Sequence, residues 1–214
     1  MDQIKVVVFD AMGVLYADGN VQGRVLLPYL RDQGCRAPEE EIRAAYRAAT
    51  LGRLTTEEFW AAAGLPGGVA ARDEDYCRRH RLTAGAREAI IELTGDGLET
   101  ACLSNDTAAW SACVRRRFGL DRLVRRWFVS SDLGARKPDR AAYEALLDGL
   151  GVLPGEVVLV DDRPVNLAPA RSLGMRTILF LSDDTDANPA TGEGPERQVA
   201  TMPELATAIR ALGG

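Results

Sequence analysis

The chain has 214 residues, 46% of them hydrophobic and 27% charged, and a net charge of −5. That is globular material, enough for one good core and a smaller appended domain. The only basic blocks are short Arg runs, which argues against a nucleic-acid partner. No stretch is long and apolar enough to span a membrane, and Met1-Asp2-Gln3 lead into a strand with no charged leader, so a cytoplasmic protein is expected.

The first element predicted is a strand, Ile4-Lys5-Val6-Val7-Val8-Phe9, ending on Asp10 with Gly13 close behind. An apolar run on both faces reads as the centre of a parallel sheet covered by helices. Ligands of such sheets bind beyond the carboxyl ends of the strands, where Asp10 lies. A carboxylate there is a nucleophile, a metal ligand or both; the bland alternative is a helix-capping Asp.

Residues 17–81 change character. They are rich in Ala, Glu and Arg, and helices are expected over Val21–Gln33, Pro38–Thr50, Thr55–Ala63 and Pro66–Arg79. Thr55-Thr56-Glu57-Glu58 supplies a capping-box start, and Gly34, Gly52 and Gly64 punctuate the helices. The expectation is a small helical domain inserted after the first strand, with 1–16 and 82–214 forming an α/β core.

From Ala84 helices and strands alternate. Helices are expected at Ala84–Thr94, Thr107–Arg117, Asp139–Gly149, Val165–Leu173 and Met202–Leu212. Strands are expected at Leu98–Leu103, Trp127–Ser130, Val157–Val160 and Arg176–Phe180. This is the pattern of repeated right-handed βαβ units, a Rossmann-like parallel sheet. Ser182–Arg197 is polar and rich in Asp, Gly and Pro, and reads as a loop.

Polar groups fall at three strand ends: Asp10, Ser104-Asn105 and Asp161-Asp162. Lys137, one of only two lysines, stands at a helix entrance before Pro138. A nucleophilic carboxylate, a hydroxyl with free backbone amides, a cation and an acidic pair make up a phosphoryl-transfer kit. The acidic pair with Asp10 suits a hard divalent ion such as Mg²⁺.

Four segments carry a resemblance: Val8-Phe9-Asp10-Ala11-Met12-Gly13-Val14-Leu15, Leu103-Ser104-Asn105, Arg136-Lys137-Pro138-Asp139 and Leu159-Val160-Asp161-Asp162-Arg163-Pro164-Val165-Asn166. In this order the chain resembles the haloacid dehalogenase superfamily of hydrolases, in the subgroup with a helical cap between motifs one and two. The fourth motif and Leu167–Met175 most resemble the phosphatase-type domain attached to soluble epoxide hydrolases. The resemblance implies a nucleophile at Asp10, and Mg²⁺ bound by Asp10, the Met12 carbonyl and Asp162. It implies Asp161 orienting metal-bound water, phosphate bound by Ser104, Asn105 and Lys137, Asn166 supporting the fourth motif, and a cap that closes over the site. The expected substrate is a small phosphorylated metabolite, with the protein a monomer or homodimer.

One position departs from that pattern. The family's phosphatases usually carry a second Asp two residues after the nucleophile, as acid and base; this chain has Met12, whose thioether can neither give nor take a proton. Three readings follow: a phosphatase whose leaving group needs no acid or which borrows a proton from substrate or cap, a dehalogenase, or a non-catalytic or very slow ligand-binding homologue. Tyr143, six residues after Lys137, fits dehalogenase spacing. The Asp161-Asp162 pair favours phosphate with a cation, since unpaired carboxylates would repel a halo-acid.

The remaining candidates read structurally. Asp106 caps the helix beginning near Thr107, and Asp139 is a first-turn charge. Arg163 pairs with Asp161 or reaches substrate. His80, the only histidine, lies on a solvated basic linker. Phe59 and Trp60 form cap core, Trp110 packs between helix and sheet, and Tyr16 faces the cleft. Cys35, Cys77, Cys102 and Cys113 lack metal-ligand spacing and read as reduced thiols.

Overall fold

β1 (Val6–Phe9) is buried along its whole length, as a strand with β-branched and aromatic residues on both faces must be. In the computed structural model, which describes residues 3–182 and 195–212, it pairs with β2 (Glu99–Ser104) on one side and β4 (Val157–Asp161) on the other. β3 (Arg126–Val129), β5 (Arg176–Phe180) and β6 (Arg197–Val199) complete a six-stranded parallel sheet of order β3-β2-β1-β4-β5-β6. The order reverses direction between β1 and β4, and that is where such sheets open a crevice.

Side chains alternate across the sheet with a period of two. Val7, Phe9, Cys102, Val158 and Val160 face α5 (Ala86–Gly95), α6 (Ala108–Arg117) and α10 (Met202–Leu212). Val6, Val8, Ala101, Leu103 and Leu159 face α8 (Arg140–Leu150) and α9 (Pro164–Ser172). The single turn α7 (Ser130–Leu133) follows β3.

Between β1 and α5 the chain leaves the sheet to form a helical layer. A π-helical turn at Gln22–Leu26 runs into α1 (Leu27–Asp32), followed by α2 (Glu39–Ala49), α3 (Thr56–Ala62) and α4 (Val69–Arg78). Thr55 and Glu58 form the expected capping box. Outgoing and returning strands are stitched by Ala17 N–H to the Arg81 carbonyl and Thr83 N–H to the Leu15 carbonyl, both 2.9 Å. Buried residues of this layer, Phe59 and Trp60 among them, join the same apolar cluster as the α5–α6 face of the sheet.

The expected elements appear within a few residues of their predicted limits. β6 was not expected; it is three residues long, too short to show alternation, and only Val199 is buried. Of the polar loop expected over 182–197, residues 183–194 lie outside the described residues, and Arg197 opens this strand.

Four side chains differ from expectation. His80 is buried, not solvated: it stands four residues after Tyr76 on the same face of the helix end, and its ring meets Tyr76 edge-on at 5.0 Å. Trp110 points into the inserted helices, because α6 packs against α4. Its ring lies 4.9 Å from Tyr76 and 5.2 Å from Phe59, and its indole N–H donates to Asp73 Oδ1 at 2.6 Å. Tyr16 is buried against Phe118 and His80 and does not line the cleft. The cap of α6 is Thr107, whose hydroxyl accepts from Trp110 N–H at 3.1 Å; Asp106 instead accepts from Thr107 N–H at 2.7 Å.

Candidate active site

Asp10 leaves β1 one residue past its last ladder position, its N–H bonded to the Val160 carbonyl at 2.8 Å. That sets it beside Asp161, the last residue of β4. The loop then turns back at once: Tyr16 N–H bonds the Ala11 carbonyl and Gly13 N–H the Tyr16 carbonyl. Gly13 has φ +82°, and a Cβ there would collide with the Asp162 carboxylate. The tight turn after the first strand is therefore a condition for bringing the two motifs together.

The floor of the site is a chain of charges. Lys137, which follows α7, is 2% exposed and extends Nζ between Asp10 Oδ1 at 2.8 Å and Asp161 Oδ2 at 2.7 Å. Asp161 is fully enclosed; its Oδ1 accepts from Arg163 N–H and from Asn166 Nδ2, both at 2.9 Å. Asp10 Oδ1 also accepts from Ala11 N–H at 2.6 Å. Among the described residues no hydrogen bond reaches its other oxygen, Oδ2. Asp162 Oδ2 accepts from the Ser182 hydroxyl at 3.0 Å, while its buried Oδ1 has no partner.

Oxygens of Asp10, Asp161 and Asp162 lie within 4.8 Å of one another. Three carboxylates share one ammonium, and the group's acid–base character follows from that shortage. Burial, with Asp161 next, pushes Asp10 well above the usual carboxylate range; Lys137 only partly opposes. Burial and then Asp161 raise Asp162 to about 6. Burial disfavours the charge on Lys137, but Asp10 and Asp161 outweigh it and keep the amine protonated. A divalent cation would supply the missing positive charge, and the unpartnered buried Asp162 Oδ1 beside Asp10 is an oxygen donor of the hard type Mg²⁺ takes.

The remaining predicted residues surround this floor in different ways. The Asn105 carboxamide is occupied with the Lys137 main chain, accepting from its N–H and donating to its carbonyl, both at 2.9 Å. It positions the lysine. Ser104 is buried with an unpartnered hydroxyl and is not part of the cleft wall. Asn166 holds Asp161 through Nδ2, leaving Oδ1 unpartnered. The Tyr143 hydroxyl donates to the Asn166 carbonyl at 2.6 Å and tethers α8 to α9. Asp139 precedes α8 with no side-chain capping bond.

Above the floor opens a cleft of about 480 Å³ that reaches Asp10, Met12, Asn105, Lys137, Asp162 and Asn166. The inserted helical layer closes it with Asn20, Gln22, Arg43 and Tyr46, and the core adds Arg136 and Arg163. Sequence reasoning offered Arg163 as a residue that pairs with Asp161 or reaches substrate, and missed the other wall residues. Arg43 and Tyr46, one turn apart on α2, belong to no motif. Arg136 and Arg163 abut Lys137 and Asp162, which was the one available signal. Arg163 makes no side-chain pair with Asp161; its main-chain N–H does that, and its side chain is exposed at the cleft.

Residues 4–174 match the family described as haloacid dehalogenase-like hydrolase. Pig bifunctional epoxide hydrolase 2 is 37% identical over 102 residues, which cover 46% of this chain and 18% of that protein. Ribulose-1,5-bisphosphate 5-phosphatase of Halopiger xanaduensis is 28% identical over 137 residues, 61% of this chain and 57% of the relative. These matches span less than two thirds of either relative. The HAD family enzyme bt-2542 of Bacteroides thetaiotaomicron, solved with magnesium and inorganic phosphate, superposes with a TM-score of 0.73 at 18% identity, covering 86% of this chain and 98% of that one. An L-2-haloacid dehalogenase from Xanthobacter autotrophicus gives 0.69 at 20% identity, covering 97% and 98%. At such identities the superpositions establish the fold alone.

Proposed function

The chain belongs to the haloacid dehalogenase-like hydrolases, and we propose that it is a magnesium-dependent phosphatase of a small phosphorylated metabolite, acting through an aspartyl-phosphate on Asp10. The observation that carries this is the buried cluster of Asp10, Asp161 and Asp162, in which Lys137 pairs with Asp10 and Asp161, while Asp162 has no ion pair among the described residues. A dehalogenase has no use for this arrangement, because surplus buried negative charge repels a carboxylate substrate.

In this reading Asp10, Asp162 and the Met12 carbonyl hold the ion, with Asp161 behind them. When bound, Mg²⁺ neutralises charge on the phosphoryl oxygens. Asp10 Oδ2 attacks phosphorus while Lys137 and Ala11 N–H hold Oδ1, which fixes the carboxylate in one orientation. Lys137 also offsets the negative charge of the incoming phosphate. Asn105 and Lys137 border the phosphate position in the cleft, and water cleaves the acyl phosphate. The inserted helices close over the cleft and select the substrate. Met12 offers no proton to the leaving oxygen, so a leaving group stable as an anion, such as the carboxylate of an acyl phosphate, suits the site best.

Met12 equally favours a second reading, a slow or non-catalytic homologue that binds a phosphorylated ligand. Phosphate release from acyl and sugar phosphates, with and without Mg²⁺, separates the two. Mg²⁺-dependent release that Asp10→Asn abolishes upholds the phosphatase. No release from any compound supports the binding protein, and chloride release from 2-haloacids would promote the dehalogenase. Met12→Asp is expected to raise turnover of ordinary phosphoesters by roughly 10²–10⁴.

A further inference from the structure

Each core loop that brings charge to the floor also carries an arginine to the wall: Arg136 directly before Lys137, and Arg163 directly after Asp162. Both line the cleft. Neither forms an ion pair among the described residues. Arg136 spends one donor on the Thr50 hydroxyl at 3.0 Å, and Arg163 engages only its main-chain N–H. Arg43, the third guanidinium on the wall, is already matched by Glu39 at 2.5 Å on the same helix.

The two unmatched guanidinium groups lie farther out than the reacting atoms. Asp10, Lys137 and Asp162 are at most 6% exposed, whereas Arg136 is half-buried and Arg163 exposed. Arg136 is bonded to Thr50, the residue that ends α2, and not to the acids of the floor. A phosphoryl group on Asp10 therefore occupies the floor, and the rest of the substrate must extend past these arginines. Burial, and then the like charges of Arg47 and Arg163, lower the pKa of Arg136, with Tyr46 and Asp139 opposing; no carboxylate among the described residues forms an ion pair with either arginine. The other walls are mainly polar, with Asn20, Gln22 and Tyr46 beside Val21 and Met12.

Building on the phosphatase reading, we propose that the substrate carries a second anionic group, a carboxylate or a second phosphate, held by Arg136 and Arg163. Guanidinium forks bind both anions through paired hydrogen bonds, so the shared chemistry is recognition of a distal oxyanion. The inference concerns the part of the substrate that leaves, and it makes these arginines determinants of specificity.

The test compares phosphate release from three compounds that differ only at the far end: propyl phosphate, 2-carboxyethyl phosphate and propane-1,3-diol bisphosphate. The enzyme is the wild type and its Arg136→Gln and Arg163→Gln variants. A distal anion is expected to raise wild-type kcat/KM at least about tenfold, chiefly through KM, with either variant losing most of that preference. The favoured arm tells carboxylate from phosphate. Equal kcat/KM on all three compounds overturns the proposal and leaves the phosphatase standing. If none is hydrolysed, release from acetyl phosphate decides the phosphatase reading and thermal shift decides this one. A larger shift with the bisphosphate or the carboxylate than with propyl phosphate, removed by Arg163→Gln, upholds the anion site; equal shifts refute it.

Discussion

The floor of the cleft and the junction between the inserted helices and α6 are both buried, and they are built in opposite ways. The floor holds Asp10, Asp161, Asp162 and Lys137, each set by a few directional bonds. The junction holds Tyr46, Phe59, Trp60, Tyr76 and Trp110 in overlapping ring contacts, with one carboxylate, Asp73, accepting both indole N–H groups at 2.7 and 2.6 Å. Ring contacts are many and weakly directional, so the loss of one leaves others in place. Charges are few and cannot be exchanged. The junction holds the helical layer on the core; the floor stores a charge imbalance that raises the proton affinity of Asp10 and Asp162.

The contrast breaks most sharply at Lys137. Lys137→Met removes the one cation from three carboxylates, and unfolding in urea with a chelator at pH 7 is expected to show a loss of about 3–5 kcal/mol. Adding Mg²⁺ should return part of it, since an ion bound only by the folded state stabilises it. A loss unaffected by Mg²⁺ would mean that these acids hold no ion.

Asp106 lies between the two regions, and its titration sharpens the comparison. Burial raises its carboxyl from 3.8 to about 7, against the pull of Thr107 N–H. The folded chain therefore keeps a proton that the unfolded chain releases. This contribution to stability is full below about pH 4 and lost as pH rises through about 7. Asp106→Asn keeps an oxygen for Thr107 N–H and abolishes the fall. The variant should exceed the wild type by on the order of a few kcal/mol at pH 8, and by much less at pH 4.5. Parallel stability curves would refute this.

Smaller effects are expected in the junction. Trp110→Phe keeps a ring and removes one donor to Asp73, which Trp60 still satisfies. A cost of about 1 kcal/mol in urea denaturation is expected, where Lys137→Met costs several times more. Smallest is the exposed α8 pair of Arg140 and Glu144, 2.7 Å apart. Arg140→Ala should change stability by no more than about 0.5 kcal/mol and be masked by salt. A larger loss there would show that surface pairs, and not the buried regions, dominate this chain.

The sheet was legible because Val157-Val158-Leu159-Val160 and Val6-Val7-Val8-Phe9 are continuous apolar runs, as strands covered on both faces must be. The helices were legible because their caps and stops are local, as at Thr55 and Glu58. The candidate acids were legible for a related reason: each sits at the end of a strand whose direction is known once the sheet is parallel. His80 and Trp110 were misread because the basic neighbours of one and the sheet-packed helix of the other suggested surroundings that the packing of α4 on α6 replaced. Asn105 was read as a phosphate ligand; that its carboxamide holds the Lys137 main chain, 32 residues away in sequence, was not legible.

By itself, then, the order of amino acids determined the parallel α/β core, the helical insertion after Tyr16 and the rim on which Asp10, Asp161 and Asp162 stand. Each of these is encoded in spacings of two to four residues. Tertiary structure alone decided that Lys137 bridges Asp10 and Asp161, that Asp162 keeps one oxygen unmatched, and that Arg136 and Arg163 meet across the same cleft as the inserted helices. Those facts depend on distances between segments far apart in the chain, which the packing of the sheet and its covering helices sets and no local pattern records.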